Sequence, residues 1–445
     1  MSAVDLSRFS QFREGIAALA NVEYASVLTD EQRVDRAKQV FWRKIDKTLA
    51  MDLESCIHCG HCASACHFHE STGDAKYTPI RKLDLMKRFY RRELSPLRWL
   101  HRLYTRDINV ADLSKWQELV YDSCTECGRC SQVCPMGINI ANGVNVMREA
   151  LAQADLMPTE LAVVEREQCG QSTVFGFGTD QFMQGVESMR AQGIEIPVDK
   201  EKADVLVLST VVDMMLFNDS VMGTIRIMNH LGLNWTFSSS NFEAANFGLL
   251  SGYEGLQKSA SDGIINKAKE IGASMVIVPE CGHAYPALRW DGPNEYGQEL
   301  PFEVLAISEF LGREVEAGRL KLKNIGKSKK VTMHDPCKVA RHSGVIDEPR
   351  AVLNALGVDF TETESSREVN WCCGGGAGVF LINRASDLRQ KAFGIKMDQV
   401  NATGADSVVM SCGSCRLNFL NGADKANWDK QIESLVALAA ENIAD

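Results

Sequence analysis

The chain has 445 residues, enough for two or three domains, with 45% hydrophobic and 24% charged residues, the balance of a globular protein. Its formal net charge of −10 excludes a general nucleic-acid binder. No apolar run is long enough to cross a bilayer; the best, residues 203–217, is broken by Asp204 and Asp213.

In chain order, residues 1–50 read as an amphipathic helical leader. Val34, Ala37, Val40, Phe41, Ile45 and Leu49 recur at helical spacing over 31–49. The opening MSAVDLSRFSQFREG has no basic segment followed by an apolar one, so a cytoplasmic location is expected. In that compartment thiols stay reduced, and the fifteen cysteines point to metal or catalysis rather than disulfides.

Residues 51–165 carry two runs of C-x2-C-x2-C-x3-C: Cys56, Cys59, Cys62, Cys66 and Cys124, Cys127, Cys130, Cys134, the second followed by Pro135. This is the ferredoxin spacing, and two copies predict two cubane 4Fe–4S clusters. Three thiolates curl round one cluster on a tight loop, and the fourth ligates the other cluster. The expected sets are therefore Cys56, Cys59, Cys62 with Cys134, and Cys124, Cys127, Cys130 with Cys66. Zinc fits eight such ligands less well, because zinc sites take four ligands, commonly as two separated pairs. His67 and His69 follow Cys66 where the second run has proline; they read either as partly exposed polar residues or as donors to a cluster sulfur.

Between the runs lie 57 residues, with 86–116 helical in pattern. Arg81, Lys82, Lys87, Arg88, Arg91, Arg92, Arg98, Arg102 and Arg106 alternate there with Leu85, Phe89, Tyr90, Leu97, Trp99 and Leu100. Such a segment reads as a solvated helix face, or as a docking surface for a membrane subunit or anionic headgroups.

After residue 165 glycine becomes frequent and short β-rich runs appear at 205–208, 275–278, 331–333 and 408–410, separated by helical stretches, which predicts α/β layering. The segment repeats itself. Residues 229–236 (NHLGLNWT) echo 354–361 (NALGVDFT), and 272–283 (GASMVIVPECGH) echo 404–415 (GADSVVMSCGSC), in the same order. The expected architecture is an α+β multi-domain protein: a helical ferredoxin-like domain over 1–165, then two α/β pseudo-repeats over 166–326 and 327–445. Only the second copy keeps its cysteines, so it is the expected working half.

Those cysteines are Cys337, the doublet Cys372–Cys373, and Cys412-x2-Cys415, with Gly374, Gly375 and Gly376 after the doublet. The pattern resembles the CCG motif of heterodisulfide reductase catalytic subunits. The resemblance implies that all five cysteines ligate a non-cubane 4Fe–4S cluster on loops of an α/β scaffold, with Gly374 and Gly375 letting the backbone approach it. It further implies a disulfide or trisulfide oxidoreductase, since such a site handles a two-electron sulfur reaction with electrons that arrive singly. Near it in sequence stand Cys281, His283, His334, Asp335, Lys338, Arg341 and His342. His283 and His334 are candidate proton donors to released thiolates, or else ordinary surface or core histidines. Asp335 places charge beside Cys337. The loop 279–283 matches the Cys412–Cys415 loop of the other repeat and is expected to face it. Cys169 reads as a buried or bystander thiol.

The whole-chain order is similar to the fused HdrD class, and within it to the DsrK subunit type. That implies a subunit lying peripherally on the inner face of the cell membrane, with a membrane cytochrome or quinone-reactive subunit and a small sulfur-carrier protein with redox cysteines (DsrC) as partners. Two other readings stay open: a heterodisulfide reductase for small thiols, and an electron-transfer subunit between a flavin dehydrogenase and quinone. The chain itself shows no nucleotide fingerprint; its glycine run at 374–378 lacks the strand–helix context and downstream acid.

Overall fold

The structure is a computed structural model that describes residues 6–171 and 173–444. The first five residues of the expected leader lie outside that range. The rest of it is three helices, Leu6–Leu19, Asp30–Lys44 and Lys47–Glu54. Thr29 and Gln32 cap the second reciprocally, with Asp30 and Glu31 in its first turn and Arg43 and Lys44 in its last, matching the helix dipole. It buries Ala37, Val40 and Phe41. The single run expected over 31–49 breaks at Ile45, because the Asp46 carboxylate accepts the Leu49 N–H at 2.8 Å and starts a new helix.

The segment expected to be helical over 86–116 is also in pieces: Asp84–Phe89, a π-turn at Tyr90–Leu94, Arg98–Tyr104 and Val110–Gln117. Several of its arginines point inward or along the surface to partners. Arg88 and Arg106 share Asp112, Arg91 pairs with Glu54, Arg102 pairs with Glu93, and Arg92 donates to the Thr105 carbonyl at 2.5 Å. The segment presents apolar residues outward beside its exposed arginines. Leu97, Trp99, Leu100, Leu103 and Tyr104 are exposed, Trp99 by 65% and Leu103 by 77%.

Beyond the helical region stand two four-stranded, wholly parallel sheets. The first contains β1 (Val205–Val207), β2 (Trp235–Thr236), β3 (Met275–Val278) and β4 (Glu303–Ala306), in the order β2-β1-β3-β4. The second contains β5 (Lys330–His334), β6 (Asp359–Phe360), β7 (Ser407–Met410) and β8 (Gln431–Ser434), in the order β6-β5-β7-β8. The two share one topology, as the echoed segments lead one to expect, and the echo pairs β3 with β7 residue for residue. The central strands of the first sheet, β1 and β3, are continuous apolar runs, as parallel strands covered on both faces are. The strands β2 and β6, two residues each, were hidden inside the echoed segments, and β4 and β8 carried no strand signal strong enough to single out.

The sheets meet closely. The Glu280 carbonyl accepts the Gly413 N–H at 2.5 Å, and Arg416 pairs with Asp219. Gly223 lets the helix Asn218–His230 approach the backbone of Val436 and Ala437; a Cβ there would sit 3.0 Å from the Val436 carbonyl. Arg148 ties all three regions together. Wholly buried over the Tyr121 ring, it donates to the carbonyls of Val120 and Cys124 in the helical region, Leu250 in the first α/β half and Ala377 in the second, at 2.6–2.8 Å.

Candidate redox site

The two ferredoxin-type loops have one backbone. His58 and Glu126, each two residues after the first cysteine, are left-handed (φ 55° and 50°), and so are Gly60 and Gly128, each four after it (φ 83° and 76°). These turns curl each loop so that its thiols converge. Burial raises the Cys62 thiol, and the thiols that raise it further are Cys56, Cys134 and Cys59. Burial likewise raises Cys130, with Cys127, Cys124 and Cys66 as its thiol neighbours. Each loop therefore has the last cysteine of the other run at its side. The loops differ in depth: Cys59 is exposed, whereas Cys127 packs against the buried thiols of the second α/β half.

Those thiols sit at the carboxyl ends of the second sheet, the edge where open parallel sheets bind ligands. Cys337 follows β5; Cys412 and Cys415 follow β7, Cys412 at the N-cap of the helix Gly413–Ala426. The doublet lies on an irregular loop between them. All five are buried, and none of the fifteen cysteines is in a disulfide. Thiol contacts run without a gap from Cys127 to Cys372, from Cys372 to Cys337 and Cys373, from Cys373 to Cys415, and from Cys415 to Cys412. The N–H groups of Gly374 and Gly375 point back at the sulfurs of Cys372 and Cys373, at 3.4 and 3.5 Å. Gly374 needs its positive φ of 96°, and a Cβ on Gly375 would lie 2.7 Å from Asn418, whose amide holds the Cys373 carbonyl at 2.6 Å.

Polar groups around these thiols lack protein partners. His334 is buried, neither ring nitrogen is hydrogen-bonded, and one lies within 4.8 Å of both Cys373 and Cys415 sulfurs. Burial holds its pKa below the ordinary value. His67 is buried rather than partly exposed, its Nε2 is unpartnered, and its ring nitrogen, Cys127 and Cys372 lie within 4.8 Å of one another. The Lys396 ammonium is buried without a partner, and desolvation pulls its pKa to about 8. Nothing in the sequence singled out Lys396, which stands mid-helix in Ser386–Ala402. Buried polar atoms are rarely left unpaired, and a group of anionic sulfurs and iron is what this set of donors would serve.

Other sequence candidates fall differently. Asp335 does not offer free charge to Cys337: Arg350 grips both its oxygens at 2.7 and 2.9 Å. Cys169 is exposed, not buried. Arg341 donates to the carbonyls of Cys127 and Glu368 at 2.6 Å and also to that of Asn370, and Arg129 stacks on Trp371 at 3.7 Å, so both clamp the second ferredoxin loop onto the doublet loop. The first-half loop 279–283 faces the thiols, since a Cβ on Gly282 would be 3.1 Å from the Cys412 sulfur. Cys281 and His283 line a cavity of about 70 Å³ against Gly375–Gly378, Gly413 and Ser414. Burial, with Lys338 nearby, depresses the His283 pKa to about 4, so its ring is neutral at pH 7.

Comparison with known proteins agrees with this geometry. A 4Fe–4S dicluster domain model matches residues 52–138, which hold all eight ferredoxin-type cysteines, and a cysteine-rich (CCG) domain model matches 331–420, which holds the other five. The HdrD polypeptide of the dihydromethanophenazine:CoB–CoM heterodisulfide reductase from Methanosarcina mazei is 27% identical over 88% of this chain and 94% of that protein. The chain thus carries a 4Fe–4S dicluster domain and a CCG domain and is similar to HdrD over most of its length. It is an iron–sulfur oxidoreductase with cubane and non-cubane clusters as its cofactors. The Hdr-like menaquinol oxidoreductase iron–sulfur subunit 2 of Archaeoglobus fulgidus is also 27% identical, over 80% of this chain and 73% of that protein. The EtfAB:quinone oxidoreductase of Syntrophomonas wolfei is 26% identical over 85% of this chain but only 56% of that protein. Among the described residues no helix is long and apolar enough to cross a membrane.

Proposed function

We propose that this HdrD-like chain is the catalytic subunit of a membrane-associated respiratory complex and that it cleaves or forms a disulfide or trisulfide. In the reducing direction one S–S bond breaks and two electrons and two protons are taken up: a disulfide leaves as two thiols, a trisulfide as a thiol and a hydropersulfide, which takes two more electrons and two more protons to give the second thiol and H2S. The observation that carries the reading is the contiguous set of thiols that starts at Cys127 of the second ferredoxin-type loop and continues through Cys372 to the rest of the CCG set. When bound, the clusters supply single electrons and, in the CCG site, iron that can hold sulfur.

The crossed neighbours of Cys62 and Cys130 support Cys56, Cys59, Cys62 and Cys134 as one cubane's ligands, and Cys124, Cys127, Cys130 and Cys66 as the other's. The contiguity of Cys337, Cys372, Cys373, Cys412 and Cys415 supports those five for the CCG cluster, with the Gly374 and Gly375 amides donating to sulfur. His334, neutral and unpartnered, is suited to hydrogen-bond a sulfur there. Lys396, with a pKa brought near neutrality, is the better store for a proton. His283 lines the substrate side of the cavity.

By likeness to the relatives, the electron partner is a quinone-reactive membrane subunit, and the exposed Leu97, Trp99, Leu103 and Tyr104 offer an apolar surface for it. The proposed sulfur substrate is a small carrier protein of the DsrC kind. Anaerobic protein with reduced viologen and the disulfide form of such a carrier tests the reading: carrier-dependent oxidation of viologen is expected. Turnover only of small heterodisulfides would move the substrate to free thiols. No turnover of either, with electron flow from a flavoprotein to quinone, would replace the reading by the relay function that the similarity to EtfAB:quinone oxidoreductase suggests.

A further inference from the structure

The basic segment between the two ferredoxin-type runs sends one of its cations inward. Lys82 stands on the 3-10 helix Pro79–Leu83 and is 1% exposed. Its ammonium lies 5.7 Å from the centre of the Phe68 ring. It donates to the Ser123 carbonyl and, at 3.2 Å, to the Ser123 hydroxyl. Both acceptors are neutral, and among the described residues Lys82 makes no ion pair with a carboxylate. The Trp116 indole N–H donates to the Lys82 carbonyl at 3.0 Å and anchors the turn from its other side. A buried cation without a carboxylate is costly unless another anion stands near.

The neighbouring cavity supplies that anion. Lys82 lines it together with Cys66, Cys124, Cys127 and Cys130, the four thiols proposed above for the inner cubane. Its charge favours the anionic form of Cys124 and Cys130, against the burial that raises both. Two other cations approach, but each is committed elsewhere. Arg148 has the Glu126 carboxylate at 3.6 Å, and Arg341 is occupied with the carbonyls of Cys127, Glu368 and Asn370. A cubane with four thiolates is anionic and gains one further negative charge on reduction. Dry surroundings disfavour that added charge, and a fixed cation close by offsets it. The first loop, with Cys59 exposed, has water for this; the second, with Ser123, Thr125 and Glu126 buried, has less.

We propose that Lys82 is the fixed counter-charge of the inner cubane site, and that it favours an electron there over the outer site, next to the CCG thiols. The step it governs is transfer of one electron: the outer cubane is oxidised, the inner is reduced, no bond forms or breaks and no proton moves. Lys82 acts through Cys124 and Cys130 and touches no substrate, so it is a positioning residue. The proposal rests on the two cubane ligand sets proposed above and not on the identity of the sulfur substrate.

The test is a potentiometric titration of full-length protein, purified without oxygen with its clusters, with redox mediators and EPR of the reduced cubanes. Cys59→Ser identifies the outer signal, which it alters or removes. Lys82→Gln is expected to shift the electron distribution at least tenfold toward the outer cubane, about 59 mV for a one-electron couple, with the outer midpoint unchanged. Lys82→Arg returns the charge and is expected to keep the wild-type distribution within about threefold. An unchanged inner midpoint in Lys82→Gln, or an equal fall at both cubanes, overturns the proposal. Lys82→Met serves if the glutamine variant loses iron; iron lost from both overturns the tuning role, since the residue then serves assembly. No disulfide is present in this measurement. Protein that reduces no sulfur substrate yet shows the shift keeps this inference and sinks the proposed reaction, whereas turnover with unshifted potentials does the reverse.

Discussion

The two α/β halves share strand order and register, yet they use the same positions for opposite purposes. Where the second half has Cys412, the first has Glu280, buried, accepting hydrogen bonds from the Val436 N–H at 3.2 Å and the Ser220 hydroxyl at 3.0 Å. Where the second has Cys415, the first has His283. Where the second has the doublet, the first has Asn246–Phe247, with the Asn246 side chain capping the helix Phe247–Ser251 through the Leu249 N–H at 3.2 Å. At these positions the first half has side chains hydrogen-bonded within the protein and forms a wall. The other has left thiols and unpartnered donors facing a common centre. The comparison teaches that one fold can use the same strand-end positions for internal hydrogen bonds in one copy and for clustered thiols in the other.

Substitutions on the two sides should fail in different ways. Cys373→Ser or Cys412→Ser should abolish disulfide turnover while the spectra of both cubanes persist and the melting temperature changes little; retained turnover would break the contrast. Arg148→Met, at the joint of both halves with the helical region, strands buried carbonyls and should cost on the order of 3–5 kcal/mol, read by denaturant unfolding. Glu280→Ala should cost about 2–4 kcal/mol by the same measurement, since two buried donors lose their acceptor, and should leave iron content unchanged. An iron loss would mean that the wall also carries the cluster.

The smallest effect is in pH dependence. Burial raises Asp213 to about 8 and Glu280 and Glu243 to about 7. Each binds its proton more tightly folded than unfolded. Their contribution to stability is therefore complete below the ordinary carboxylate range and lost as pH rises through 7–8. The melting temperature should fall between pH 6 and pH 8.5, and Asp213→Asn should flatten that fall.

Much of this was legible in the chain. Cysteine spacing is local, so each ferredoxin loop reads directly, and the echo of 272–283 in 404–415 gave the duplicated sheet and the facing loops. Long-range partners were not legible. Asp112 takes up Arg88 and Arg106 from across the segment. Asp335 is neutralised by Arg350. Lys396 stands one residue type among many on a helix, and only the fold shows its ammonium buried without a partner. The break at Asp46 was present as a capping residue but was overridden by a strong helical period on both sides.

One experiment bears most directly on the five clustered thiols: EPR of the oxidised, anaerobically purified protein, containing about twelve irons, with and without a thiol substrate. A paramagnetic signal that changes on adding thiol, and that disappears in Cys373→Ser while both cubanes remain reducible, is expected. A spectrum indifferent to thiol, from protein holding about eight irons, would contradict the account and leave an electron relay in its place.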